Sequence, residues 1–142
     1  MADFDITPYR QRLAAQLVDW AQVGSAADLE AIEGGMVAPP AAFVVPLSDA
    51  PSANPLAGDF VQHVVVRLGV VIALSNLSDG EGAGAMSELS LRRSQVRAAL
   101  AGWSPNEAIG WAQRGPGTLL KFNDGVLWWM DEYVTDFYER RA

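Results

Sequence analysis

The chain has 142 residues, half of them hydrophobic and 19% charged, which is the length and composition of one globular domain. The net charge of −7 and the single lysine, Lys121, argue against general affinity for the nucleic-acid backbone. Because the chain has no cysteine, disulfide bonds and thiolate metal sites are excluded.

The N-terminal sequence MADFDITPYR is acidic and has no apolar core segment, so it does not predict a signal peptide. No apolar stretch in the chain approaches the roughly 20 residues that a membrane-spanning helix needs. We therefore expect a soluble protein that is made in a reducing, cytoplasmic setting.

Two helices are predicted before the first strand. Thr7 as N-cap and Pro8 at the first helical position begin one helix, which we expect to end at Gly24. Apolar residues recur along it at helical spacing: Ile6, Tyr9, Leu13, Leu17 and Trp20. A short second helix is expected from Ser25 to Ile32, followed by two glycines.

Two strands follow, and the second is the clearest signal in the sequence. Ala41 to Val45 reads as a strand that Pro46 ends, and Ser48 to Gly58 reads as a surface loop. From Phe60 to Leu74, apolar residues occupy nearly every even position. This period of two predicts a long strand with one buried face, in which Gly69 marks a bulge or bend.

The segment SNLSDGEGAG, Ser75 to Gly84, is a glycine-rich loop. Gly80 to Ala85 formally matches a variant of the dinucleotide-binding fingerprint. However, Asp79 and Glu81 would place carboxylates beside a pyrophosphate, and the motif does not follow directly from a strand. We therefore expect a mobile loop that becomes ordered on a partner, with Leu77 as its apolar anchor and Asp79 and Glu81 as its charges.

A helix and a hairpin complete the predicted fold. The helix ends at Gly102, and one of its faces carries Met86, Leu89, Arg93, Val96 and Leu100. After an irregular stretch, Thr118 to Phe122 and Val126 to Tyr138 flank NDG, a strong hairpin turn. The sequence thus predicts one α+β domain, residues 1–142, with an antiparallel or mixed sheet of about four strands and helices on one face.

No set of residues predicts catalysis, a cofactor or a metal. His63 is the only histidine, so neither a catalytic triad nor a multi-histidine metal site can be built. Asp131 and Glu132 are adjacent on a strand, so they point to opposite faces, and we expect both to be solvated charges. The sequence therefore does not favour an enzyme.

Two groups of residues suggest assembly. Arg92, Arg93 and Arg97 cluster on one helix and suit salt bridges, including bridges to a neighbouring subunit. Trp128 and Trp129 are consecutive on a strand, so both faces of that strand need cover. The helices supply one cover, and we expect a partner on the other side.

The order of these features resembles the phage tail terminator proteins of long-tailed phages, a family that includes lambda-type minor tail proteins. The likeness covers nearly the whole chain and includes the helix ITPYRQRLAAQL and the strand PPAAFVVP. It continues through QHVVVRLGVVIALSN and its glycine-rich loop, VRAALAGWSP, and GVLWWMDEYVTDFYERR. The most distinctive piece is Leu-x-Gly-Trp-x-Pro, Leu100 to Pro105.

The resemblance implies a structural virion protein in the phage tail, assembled in the host cytoplasm. It implies a hexameric ring that caps the head-proximal end of the tail tube, stops its polymerisation and offers a surface to a neck or head-completion protein. DNA would pass through the lumen without specific binding. We expect contacts to the tube or to a neighbouring subunit at Leu77, Asp79, Glu81, Arg92, Arg93, Trp128 and Trp129.

Two alternatives stay open at this point. One is a head–tail connector or a tail-tube subunit, since such proteins share small α+β architectures. The other is a small ligand-binding or enzymatic α+β domain, with a pocket roofed by the tryptophans. A ring-forming protein gives a multimer in a mass measurement, whereas a pocket enzyme need not.

Overall fold

A computed structural model describes residues 4–28, 37–54, 58–75, 83–123 and 125–140. It contains two long helices, α1 (Thr7–Gln16) and α2 (Ala83–Leu100). The strands are β1 (Gln22–Ser25), β2 (Ala41–Pro51), β3 (Val61–Ser75), β4 (Gln113–Asn123) and β5 (Val126–Arg140). None of the described helices is both long enough and apolar enough to cross a bilayer.

The five strands form one mixed sheet in the order β1-β2-β3-β5-β4. β1 runs parallel to β2, whereas every other neighbouring pair is antiparallel. The α+β prediction is therefore confirmed, and the fifth strand is β1. Its sequence QVGS has too little apolar alternation to reveal a strand.

The helices and one face of the sheet enclose the main core. The even-numbered side chains of β3 point to this face, as the period of two predicts, and Leu68, Val70 and Ile72 are fully buried. α1 contributes Tyr9 and Leu13 to the same cluster, and Leu17 and Trp20, just beyond its end, also belong to it. The predicted apolar stripe is thus confirmed, although α1 itself ends at Gln16 rather than at Gly24, which lies in β1.

A second apolar cluster lies on the opposite face of the sheet. Its buried members come from β2, β3 and β5: Ala41, Phe43, Val71, Ala73 and Trp128. Both faces of the central strands are therefore apolar at the end of the sheet next to the β4–β5 hairpin.

The start of α1 differs by one residue from the prediction. Ile6 is the N-cap and Thr7 is already helical, with Pro8 in the first turn as predicted. The carboxylate of Asp5 accepts a hydrogen bond from the Thr7 backbone N–H at 2.9 Å. This bond lowers the pKa of Asp5.

The predicted end of β2 at Val45 is wrong, since the strand continues to Pro51. β1 pairs with β2 only at residues 41–44. At Pro46, therefore, no strand in the described part of the chain pairs with the side of β2 that faces away from β3. The pairing with β3 shifts between Pro46 and Ser48, which is a bulge. An edge position and a bulge are the two places where a strand tolerates proline.

The predicted bulge at Gly69 is also wrong, because β3 pairs regularly with both neighbours at this residue. A Cβ at Gly69 would lie 2.9 Å from Met130 Sδ and 3.2 Å from a methyl carbon of Val45. Close packing by neighbouring side chains therefore accounts for this glycine.

β4 begins five residues earlier than predicted. Residues 113–117, read as irregular from their glycines and proline, pair with β5 across a register shift between Arg114 and Gly117. The predicted NDG hairpin between β4 and β5 is confirmed.

The predicted face of α2 is buried at Leu89, Val96 and Leu100, and Gly102 beyond its end has a positive φ of 78°. Met86 is the exception, since its side chain is 60% exposed.

Two predictions fall largely outside the described residues. The short helix expected at 25–32 overlaps β1 at Ser25, has helical backbone at residues 26–28, and then enters residues 29–36, which are not described. Most of the glycine-rich loop, residues 76–82, is likewise not described.

Candidate interaction surface

β4 forms one edge of the sheet and carries an apolar surface. In the described part of the chain, no strand pairs with its far side. Three of its apolar side chains are about half exposed: Leu119, Leu120 and Phe122. An edge strand that presents unpaired backbone groups beside apolar side chains is a template for pairing with another chain. We call these three residues and the β4 backbone the β4 edge.

The helical layer stops short of this edge. The helices contact β1, β2 and β3, whereas their contacts with β4 are few. Leu119 is in register with Trp129, and Phe122 with Leu127; both of these partners pack toward the helices. Leu119 and Phe122 therefore lie on the helix-bearing face of the sheet, beyond the part that the helices cover.

A buried ion pair fastens α2 to β5 next to the β4 edge. Arg93 donates from Nε to Asp131 Oδ2 at 3.0 Å and from Nη2 to Oδ1 at 2.9 Å. Only 6% of the Asp131 side chain and 22% of the Arg93 side chain are exposed. The hydrogen bonds to the carboxylate raise the pKa of Arg93. The expectation that Asp131 is a solvated charge is therefore wrong, while its divergence from Glu132 is confirmed by the register.

Trp129 belongs to the same cluster. Its Nε1 donates to Asp131 Oδ1 at 3.0 Å, and the Arg93 guanidinium lies 4.6 Å from the ring centroid. Gly117 on β4 leaves the space for this arrangement, because a Cβ there would lie 2.7 Å from Arg93 Nη2 and 2.8 Å from the Trp129 ring. We call Arg93, Asp131, Trp129 and Gly117 the Arg93 cluster.

Tyr133 lies two residues beyond Asp131 on the same face and is fully buried. Burial, and then the negative charge of Asp131, raise the pKa of Tyr133 to about 12. The phenol therefore stays protonated and adds no second negative charge beside the carboxylate.

Arg92 has its own intramolecular partners. Its guanidinium lies 5.3 Å from the Trp20 ring centroid and donates to Gln95 at 3.2 Å. Glu88 and Asp19 lie within ion-pair distance, at 3.5 and 3.8 Å. Arg92 and Arg93 of the arginine cluster predicted from the sequence are thus engaged within this chain, and a role for the cluster between subunits stays a prediction.

Trp128 and Trp129 point to opposite faces, as predicted from their adjacency. Trp129 packs against the helix-side core, whereas Trp128 is buried in the second apolar cluster. Lys121 Nζ lies 5.1 Å from the Trp128 ring centroid. Contacts of either tryptophan with a partner stay a prediction. Leu77, Asp79 and Glu81 lie outside the described residues.

The end of the sheet far from the hairpin carries polar side chains. His63 is hydrogen bonded to Asp136 at 2.7 Å, and both side chains are partly exposed. Nearby, Trp111 is 72% exposed beside a cavity of about 430 Å³ that Glu107, Asp136 and Tyr138 also line. Within residues 4–28, 37–54, 58–75, 83–123 and 125–140, no three His, Asp or Glu side chains are grouped to hold a metal ion.

The exposed residues of the β4 edge were not predicted as candidate contacts. Leu119, Leu120 and Phe122 lie in the strand predicted from Thr118 to Phe122, and apolar side chains on a strand are usually buried. The available signal was the local pattern: three apolar residues in the four positions 119–122 cannot all face one side of a strand.

Comparison with known proteins identifies the family. A search of curated proteins found none that matches this sequence. The family model described as "Phage tail terminator protein" matches residues 1–142, the whole chain. Segments that carried the resemblance lie in α1, β2, β3, α2 and β5 of the fold. The chain belongs to the phage tail terminator family and is a structural component of the phage tail.

Proposed function

We propose that this protein forms a hexameric ring that caps the head-proximal end of the tail tube and stops its polymerisation. The observation that carries the proposal is the family match over the whole chain. The ring also presents the surface to which the head-completion or neck protein binds. The protein has no catalytic role in this process.

The open β4 edge supports the assembly part of this proposal. An exposed strand with half-exposed Leu119, Leu120 and Phe122 is a liability in a protein that works as a monomer. Burial of those side chains and pairing of the β4 backbone against another subunit would stabilise a multimer.

The partners follow from this role. They are further copies of the chain, the tail tube protein and the head-completion protein. DNA passes through the lumen without specific binding, because six copies of a chain of net charge −7 repel a polyanion. The finished protein resides in the tail of the virion, after assembly in the host cytoplasm.

Seven residues are proposed to serve these contacts: Leu77, Asp79, Glu81, Arg92, Arg93, Trp128 and Trp129. For Arg93 and Trp129 the role is to hold β5 and α2 in place behind the β4 edge, since both bind Asp131. Leu77, Asp79 and Glu81 are proposed to bind the tube or a neighbouring ring subunit.

Two measurements test the proposal. The first is the native mass of the protein, alone and released from purified tails, for which we expect six times the chain mass of 15.2 kDa. The second is complementation of a phage that lacks this gene: the wild-type chain should restore tails of uniform length, and its absence should give tubes of unregulated length. An obligate dimer in tails, or uniform tails without the protein, would overturn the proposal.

A further inference from the structure

We propose that the ring is closed by β-strand pairing between copies, in which the β4 edge of one subunit continues the sheet of the next along β1 and the outer half of β2, residues 45–51. This inference rests on the proposed ring. It names the two surfaces that meet and the strand register between them.

The sheet has a second open edge opposite β4. β1 is its last strand on that side and covers β2 only at residues 41–44. Beyond β1, in the part of the chain that the structure describes, residues 45–51 of β2 pair only with β3. The second edge is therefore stepped: β1 forms it at the hairpin end of the sheet, and β2 forms it at the other end.

Strand direction allows the two edges to meet. β1 and β2 are parallel, and three antiparallel steps separate β2 from β4, so β4 runs opposite to both. A second copy that continues the sheet in the same orientation therefore places its β1 and β2 antiparallel to β4. Antiparallel strands pair through the backbone groups that both edges leave open.

The register across the sheet shows which residues lie at one level near the hairpin. One row of partners comprises Lys121, Trp128, Ala73, Ala41 and Gln22. The adjacent row comprises Leu119, Trp129, Ile72, Ala42 and Val23. A straight continuation of the sheet thus brings Leu119 against Val23 of the next copy, on the helix-bearing face. The half-exposed leucine then meets an apolar neighbour.

At the other end of the sheet the same register brings opposite charges near each other. A row of partners there comprises Gln113, Val134, Arg67 and Ser48. Arg114 lies one residue to one side of this row, level with Leu68, and Asp49 lies one residue to the other side, level with Val66. Both of these β3 residues are even-numbered, so Arg114 and Asp49 lie on the helix-bearing face, and both are exposed. Across the proposed interface they are therefore diagonal neighbours, a separation that a long arginine side chain can span.

These features favour a second copy as the occupant of the β4 edge. Head-to-tail contacts that close a ring need two different, complementary surfaces on each subunit, on opposite sides of it. The two sheet edges are such a pair, and their charges are of opposite sign.

Charge reversal tests the pairing of Arg114 with Asp49. Arg114→Asp or Asp49→Arg alone should raise the protein concentration for half-maximal ring assembly severalfold, because like charges then lie at diagonal positions across the interface. The double variant should recover most of the loss. Arg140→Asp, the same charge change on β5 at a position level with Val61 and six residues beyond Val134, where the pairing with β4 ends, is the matched control and should assemble normally.

Cross-linking tests the register directly, and the chain has no cysteine to interfere. The double variant Lys121→Cys with Gln22→Cys should give disulfide-linked ladders that end at six copies on oxidation, because paired strands bring Cα atoms to about 5.5 Å. Each single variant should stay uncross-linked. Purified tails, digested to release the ring, provide the same readout under assembled conditions.

The outcomes separate this inference from the proposed function. A hexamer with the ladder and with rescue by the double reversal supports strand pairing between copies. A hexamer with neither overturns the strand pairing and leaves the ring intact. A dimer that the single variant Lys121→Cys cross-links shows β4 pairing with itself and overturns the inference. A protein that is monomeric both free and on tails overturns both.

Discussion

The Arg93–Asp131 pair joins α2 to β5 inside the domain. It is bidentate, nearly buried at the carboxylate, and joined by the Trp129 indole. Buried pairs of this kind contribute little net stability, but removal of one partner leaves an uncompensated charge. The pair therefore acts mainly to specify how α2 sits on the sheet.

A substitution at Asp131 tests this role. Asp131→Ala should lower the free energy of unfolding by about 3 kcal/mol, because Arg93 loses the carboxylate that accepts its hydrogen bonds. The matched control is Glu132→Ala on the next residue, whose side chain is 20% exposed and whose ion pair with the half-exposed Arg67 is long, at 3.9 Å; it should cost less than about 1 kcal/mol. Urea unfolding at a concentration that keeps the chain monomeric measures both. Equal losses in the two variants would contradict the prediction.

Tyr133 gives a pH dependence at the same scale. Its pKa rises from 10.0 in the unfolded chain to about 12 in the fold. The folded state therefore holds the phenol proton more tightly than the unfolded chain does. The resulting contribution of Tyr133 to the free energy of unfolding is fully present below pH 10 and is lost as the pH rises to about 12.

At alkaline pH the free energy of unfolding falls, and Tyr133→Phe should remove the part of this loss that Tyr133 causes. That part is on the order of 2 kcal/mol between pH 10 and pH 12. Urea unfolding at pH 9 and at pH 12 in both proteins measures the difference. Some alkaline loss should persist in the variant, since burial also raises the pKa of Tyr9. An unchanged slope in the variant would show that Tyr133 does not carry the effect.

At the scale of the elements, a strand could be predicted from the sequence where its apolar residues recur with a regular period. β3 was predictable because its even positions from Val64 to Leu74 are all apolar, and the NDG turn located the hairpin between β4 and β5. The outer half of β2 and the first half of β4 were not predictable, since Pro46 and Pro116 read as the ends of strands. Tertiary pairing with β3 and β5 overrides those local signals.

The candidate site was predictable only in part, for the same reason. The opposed orientation of Trp128 and Trp129 follows from their adjacency alone. The bond between Arg93 and Asp131 does not, because the two residues are 38 positions apart and no local pattern connects them. Exposure of Leu119 and Phe122 depends on where the helical layer ends, which only the assembled fold determines.

The glycine-rich loop at residues 75–84 supplies an element-scale prediction from its sequence. Ordering a ten-residue segment with three glycines costs on the order of 10 kcal/mol of conformational entropy, which contacts with a partner must offset. We therefore expect fast hydrogen exchange at the amides of residues 76–82, between β3 and α2, in the free protein and protection in finished tails. Protection already present in the free protein would contradict the prediction.

Shortening of the segment 80–84 tests its function. The variant should keep the fold, with unchanged circular dichroism, and should give tails of unregulated length. The proline-containing loop after β2 offers a control deletion at residues 55–57. Normal tail length in the first variant would show that the glycine-rich segment is only a connection.

At the scale of the whole molecule, the family assignment predicts a protein that recognises surfaces rather than small molecules. A thermal-shift screen with nucleotides and divalent cations should therefore leave the melting temperature unchanged, because a ligand that binds only the folded state raises it. A reproducible rise of several degrees would contradict this prediction. A peptide of the tail tube protein is the informative positive comparison.

The absence of a side chain at Gly117 has a consequence for which residues can be substituted among members of this family. Any side chain at residue 117 would occupy the volume that the Arg93 guanidinium and the Trp129 ring now fill. Relatives that carry a larger residue there should therefore also have lost the arginine or the carboxylate, whereas relatives that keep both should keep glycine. Residues 93, 117 and 131 are expected to change together across the family, although they lie on a helix and two different strands.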